Sequence, residues 1–148
     1  MAIAQCLSRL IPALWLGALI GVSFLATPVK FQAPSLTLSV ALDVGRATFH
    51  AFARLEWGFA TLLVLVHFLL PHLGWRWILI GTVGILVALQ ALWLLPALDI
   101  RVAAVIDGHP LPPSFHHGLY AGMELSKALA LAALSIHAAL QSTSISRP

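Results

Sequence analysis

Four apolar runs, at 10–27, 48–70, 75–98 and 118–140, constrain this chain more than any other feature. Each is close to the roughly 20 residues that a helix needs to cross the hydrocarbon of a bilayer. Within a membrane every backbone polar group must be satisfied inside the segment, so runs of this length read as helices. Four of them in 148 residues predict an all-α fold. The expected architecture is a four-transmembrane-helix bundle, one integral membrane domain over 1–148 with up-and-down connectivity. Composition enters the argument here: 60% of the residues are hydrophobic and only 9% charged, against about a quarter charged in soluble domains. The formal charge of +3 comes from eight Lys and Arg placed singly. No basic cluster or base-stacking aromatic pattern accompanies them, so the lipid bilayer is the expected partner and nucleic acid is not. Cys6 is the single cysteine, which excludes an internal disulfide.

The first run carries Trp15, and Phe24 rather than a small residue stands two places before Ala26. An uncleaved helix therefore fits better than a signal peptide, with Pro12 as a first-turn proline. Residues 28–47 contain Pro28, Pro34, Asp43, Gly45 and Arg46 and cannot span. From Ser35, a capping residue, the pattern predicts either an interfacial helix before helix two or an extension of helix two, which ends at Pro71. The third run has Trp75, Trp77 and Trp93 toward its ends, as in aromatic belts, and Gly81 and Gly84 with Gln90 as a packing patch. Residues 99–117 read as one sizeable loop, marked by Asp107-Gly108 and prolines 110, 112 and 113. The tail at 141–148 reads as polar and mobile. Arg9, Arg76 and Arg147 fall on one side and Lys30, Arg46 and Arg101 on the other. This balance is nearly even, and the N-terminus is read as inside.

The charges within the runs are the functional signal. In HHGLYAGMELSK (116–127), Glu124 and Lys127 are three apart and share a helical face that His117 and Tyr120 extend. Arg54 and Glu56 lie at a similar depth in helix two, roughly 9 to 13 Å from its start at 1.5 Å per residue. Helices two and four start from the same side, so Arg54 with Glu124 and Glu56 with Lys127 is the expected pairing. Arg54 and Glu56 are two apart, however, and one of them can face helix one or three instead. A charge in hydrocarbon costs roughly 2.5 to 3.5 kcal/mol on insertion scales, so such groups are partnered or functional. Two readings follow: ion pairs that fix which helices touch, or a polar pocket for a small solute, a proton or a headgroup. Arg101, Asp99, Lys30 and Tyr120 would line the mouth of that pocket.

Seven histidines raise the question of haem or metal. Two bis-histidine pairs, His50 with His117 and His67 with His137, fail on angle. Helical steps of 17 and 20 residues turn by about 260° and about 200° net, so both pairs cannot share one seam. One haem between His67 and His137 stays geometrically open. A copper or zinc site from Asp107, His109, His116 and His117 has suitable residue types but no recognised ligand spacing. No cofactor is expected from these patterns. Phosphate-loop, G-x-S-x-G, H-E-x-x-H and Cys-x-x-Cys motifs are all missing, so no catalytic residue is assigned and an enzyme is not the favoured reading.

Trp15 and Gly17, Pro28 and Phe31, the amphipathic stretch to Phe49, the ending LWLLPALDIR and the run FHHGLYAGMELSK resemble a family of small four-helix membrane proteins. That family is classified under a transmembrane domain of unknown function and occurs in bacteria and in a eukaryotic transmembrane protein. The resemblance implies four helices and an integral membrane location and offers no established activity; the expected location is multi-pass in a bacterial inner (plasma) membrane. Its members tend to carry a polar amide near the place where this chain has Glu124 and Lys127. A shorter run, RATFHAFARLE, is similar to the basic, histidine and glutamate pattern of the membrane-associated eicosanoid and glutathione metabolism family. It lacks the asparagine between histidine and glutamate and is off by one in spacing. The expected role is a structural or accessory subunit of a membrane complex, joined to other subunits or to itself. The competing roles are handling of a small solute, ion or metal, or binding of a b-type haem.

Overall fold

A computed structural model describes residues 2–70, 74–109 and 111–144. The order is α1 (Ala2–Leu19), a π-helical segment (Ile20–Ala26), α2 (Thr27–Lys30), α3 (Leu38–Phe68), α4 (Gly74–Leu89), a second π-helical segment (Gln90–Leu94), α5 (Leu95–Ile106) and α6 (His116–Ser144). The chain is all-α, with four helical spans that are long and apolar enough to cross a membrane: Ile3–Lys30, Leu38–Phe68, Gly74–Ile106 and His116–Leu140. Helix α1 packs on α3 and α6, and α4 packs on the same two. Helices α3 and α6 therefore stand across the bundle from each other. Pro71 and Pro110 and the last residues, 145–148 with Arg147, lie outside the described residues.

Each helical span is longer than its apolar run. The first begins at Ala2, so Pro12 sits inside it rather than in its first turn, buried against the bundle. A proline there removes the N–H that would have bonded the Ser8 carbonyl, a loss tolerated in spanning helices where neighbours crowd the backbone. Helix α3 begins at Leu38 as a continuous extension of helix two, not as a separate interfacial helix. Its N-cap is Thr37, not Ser35: the Thr37 hydroxyl accepts the Val40 N–H at 3.4 Å. The stretch expected as a loop from 99 is helical to Ile106 and turns only at Asp107 and Gly108, where Gly108 adopts φ +79°. Arg101 helps close this shorter loop by donating to the Pro112 carbonyl.

Two prolines explain the π segments. Proline offers no N–H to the carbonyl four residues back, and its ring presses against that carbonyl, so the helix relaxes by widening one turn. Pro96 follows the second segment, where the Leu95 N–H bonds the Gln90 carbonyl five residues back. Pro28 follows the first, where the Thr27 N–H reaches the Val22 carbonyl, also five back. Each widened turn inserts a residue and re-aims what precedes it. Ser23 and Gln90 both lie on these turns.

The apolar core falls into two parts. A larger cluster holds Ile11, Trp15, Leu19, Phe52, Leu63, Val83, Val87 and Leu131. A smaller one holds Leu94, Leu95 and Tyr120, with Phe49 set edge-on to Tyr120 at 5.1 Å. Along α6 the order is Tyr120, Glu124, Lys127, Leu131, which puts the acid and the base between the two clusters.

Candidate functional site

Glu124 and Lys127 occupy one inward stripe of α6 because a three-residue step keeps a helical face. The Lys127 ammonium lies 2.8 Å from Glu124 and 2.5 Å from Glu56 on α3. All three side chains are sealed: Lys127 is 0% exposed, Glu124 1% and Glu56 2%. The first and third spans complete the centre. The Trp15 indole N–H donates to Glu56 at 3.1 Å, while its ring stacks on Phe59 at 5.7 Å. The Ser23 hydroxyl donates to Glu124 Oε2 at 2.7 Å. The Gln90 amide nitrogen donates to Glu124 Oε1 at 2.9 Å and more weakly to the Tyr120 carbonyl at 3.4 Å. Every span thus contributes at least one polar group, and the two π turns supply Ser23 and Gln90.

Formally the centre holds two carboxylates against one ammonium. Low-dielectric surroundings magnify that imbalance, since each charge pair interacts more strongly there than in water. One acceptor also goes unanswered: Gln90 Oε1 is buried without a hydrogen-bond partner. The centre can clamp four helices, and it has an acceptor-rich side to which a proton or a small cation could bind.

The structure gathers Glu56, Glu124 and Lys127, with Tyr120 buried one turn from Glu124. It does not bring Arg54 there. Arg54 is exposed on the outward side of α3 because two residues turn the helix by about 200°, and Glu124 instead takes Ser23, Gln90 and Lys127. Arg101 is engaged with the loop at Pro112. Trp15, Ser23 and Gln90 are members that the sequence reading left out of the centre. Gln90 had a findable signal: it stands eight residues before the end of its apolar run, much as Glu124 stands six after the start of its own.

The described histidines do not gather at one place. His67 is buried, with Nδ1 2.9 Å from the Leu63 carbonyl and its ring edge-on to Trp77 at 6.1 Å. His137 meets Trp75 at 4.7 Å, and its buried Nε2 has no partner. His116 stacks on Phe115, while His109, His117 and Asp107 are exposed. Among the described residues no three His, Cys, Asp or Glu side chains are gathered as a metal ion requires. His50 instead ties α3 to α5 through Asp99 at 2.7 Å.

Four long apolar helices around a sealed charge centre define a small helical membrane protein. The chain belongs to the family described as Domain of unknown function (DUF4149), whose model matches residues 10–100. No curated protein and no solved structure gives a significant match. The matched stretch contains Trp15, Ser23, Glu56 and Gln90 and ends before α6, so Glu124 and Lys127 lie beyond it.

Proposed function

We propose that this protein is a multi-pass component of a bacterial inner (plasma) membrane, serving as a structural or accessory subunit beside other membrane proteins or a second copy of itself. All-helical spans suit that bilayer, whereas outer-membrane proteins are built as barrels. The observation that carries the reading is Arg54. It is exposed on the outward face of α3 and has no ion pair or hydrogen bond among the described residues, while Leu55, Trp57 and Leu62 around it are exposed too. A guanidinium on a lipid-facing surface needs either a reach to the headgroups or a carboxylate from a neighbouring subunit. The test is cross-linking in native membranes followed by mass measurement in mild detergent. The wild type is expected in an assembly larger than one chain, and Arg54→Gln is expected to deplete that assembly severalfold while helical content and thermal unfolding stay unchanged. A wild-type protein recovered only as a monomer overturns the reading, as does an Arg54→Gln variant that assembles like the wild type.

A second reading, ion handling, is supported by the excess carboxylate and by the unanswered Gln90 Oε1. It is tested by thermal unfolding in lithium, sodium and potassium salts at constant ionic strength. A rise specific to one cation that Glu124→Gln abolishes supports ion handling. Equal curves in all three count against it.

A further inference from the structure

A cavity of about 90 Å³ lies at one end of the bundle, walled by residues from all four spans, among them Lys30, Gly45, Phe49, Leu95, Asp99 and His117. Lys30 ends the first span, at the level where hydrocarbon gives way to headgroups. A lysine that merely snorkelled would lie along the lipid face. Lys30 turns inward instead: its ammonium sits 5.0 Å from the Phe31 ring and 5.9 Å from the Phe49 ring. It also rests against the α-carbon side of Gly45, where a Cβ would collide with Nζ. A side chain at 45 would push the ammonium aside, so the glycine leaves room for the cation to reach across from the first span to the second.

Among the described residues no acidic group answers that cation within ion-pair distance. Asp43 is engaged by Arg46 at 2.6 Å, and Asp99 by His50 at 2.7 Å. Aromatic faces offer Lys30 some compensation, yet a half-buried ammonium without an anion is costly. The cavity wall is mostly apolar, with Lys30 unpaired within it; Arg46, His117 and the Asp99 carboxylate held by His50 also line it.

We propose that this cavity binds the anionic headgroup of one membrane amphiphile, its phosphate or carboxylate oxygens on Lys30 and its first methylenes against Phe49, Leu95 and Leu98. The volume admits the phosphate or carboxylate group itself, and the rest of the headgroup and the chains would lie outside it, in the headgroup layer and the surrounding bilayer. An anion of this kind completes the charge at Lys30 and satisfies the apolar wall, whereas a soluble anion does only the first.

The test uses the full-length protein in detergent, delipidated and then supplied with phosphatidylglycerol, with phosphatidylcholine of the same chains, or with inorganic phosphate. Binding is read by native mass spectrometry and by the shift in thermal unfolding. Phosphatidylglycerol is expected to bind and stabilise, the other two not. Lys30→Gln is expected to weaken phosphatidylglycerol binding about tenfold, the scale of one charged hydrogen bond. Gly45→Ala, which displaces the ammonium without removing it, is expected to weaken binding as well. Equal binding of the two lipids, or an undiminished preference in Lys30→Gln, overturns the site. Stabilisation by inorganic phosphate equal to that by phosphatidylglycerol overturns the amphiphile.

Discussion

Lys127 on α6 and Glu56 on α3 belong to helices that stand across the bundle from each other, yet their charged atoms meet at 2.5 Å. The long lysine stem crosses the core to make that contact, so the pair ties a diagonal rather than an edge. Glu124, one turn back on α6, takes the same ammonium at 2.8 Å. Neither helix can slide or rotate without exposing one of the three to hydrocarbon.

Lys127→Met should be the most damaging single change in the centre. It leaves two buried carboxylates facing each other, and removing one partner of a buried pair costs about 3–5 kcal/mol. The triple variant Glu56→Gln, Glu124→Gln, Lys127→Met should recover most of that loss, because it removes all three charges and keeps the shapes. Thermal unfolding in detergent checks both, and a triple variant no more stable than Lys127→Met would show that the contacts matter through shape alone.

Neutralising one carboxyl should be mild. Glu124→Gln leaves Glu56 and Lys127 as a balanced pair, and its amide oxygen can still face Gln90 and Lys127 while its nitrogen donates to the Ser23 hydroxyl. A cost within about 1.5 kcal/mol is expected, the net scale of a single hydrogen bond. Unfolding measurements beside Lys127→Met decide it: equal losses in the two variants contradict the charge count.

Trp15→Phe should keep an aromatic ring against Phe59 but lose the N–H donated to Glu56 and leave a small cavity in place of the rest of the buried indole. Hydrogen bonds to charged groups contribute about 1.5–3 kcal/mol. The loss should be smaller in a Glu56→Gln background, where the acceptor is neutral, so a double-mutant cycle should return a coupling between 15 and 56. Additive effects would detach Trp15 from the centre.

How much of this was legible in the sequence depended on which physical force set each feature. The spans were legible because hydrocarbon demands runs of about twenty apolar residues. Their ends were legible only in part: an extension of helix two was one of the two readings from Ser35, and α3 does reach back to Leu38, but α5 runs on to Ile106 where a loop was expected, held by contacts such as His50 with Asp99, which hydropathy does not register. The meeting of Glu56 with Lys127 followed from depth arithmetic. Arg54 misled because two residues on one helix share a depth but not a face. Ser23 and Gln90 escaped for a different reason, since a π turn adds a residue and shifts which side chain points inward. Pro28 and Pro96 were visible marks of those turns, and their consequence becomes plain only from the five-residue backbone bonds beside them.

The last prediction joins Pro96 to Gln90. Replacing Pro96 by Ala restores an N–H and removes the ring that crowds the preceding turn, so the widened turn is free to close into regular α-helix. Closing it deletes one residue from the turn and rotates α4 relative to α5 by about 100°, the angle of one helical residue. Gln90 would then leave Glu124, and the 2.9 Å bond between them would be lost. Pro96→Ala should therefore destabilise the protein although alanine is the better helix former. Its effect should overlap with that of Gln90→Leu, which removes the donor to Glu124 together with the unanswered Oε1. Gln90→Glu should be worse than either, because it adds a third carboxylate beside one ammonium. Unfolding of the two single variants and the Pro96→Ala, Gln90→Leu double variant measures the overlap. Fully additive losses, or a Pro96→Ala protein as stable as the wild type, would separate the proline from the placement of Gln90.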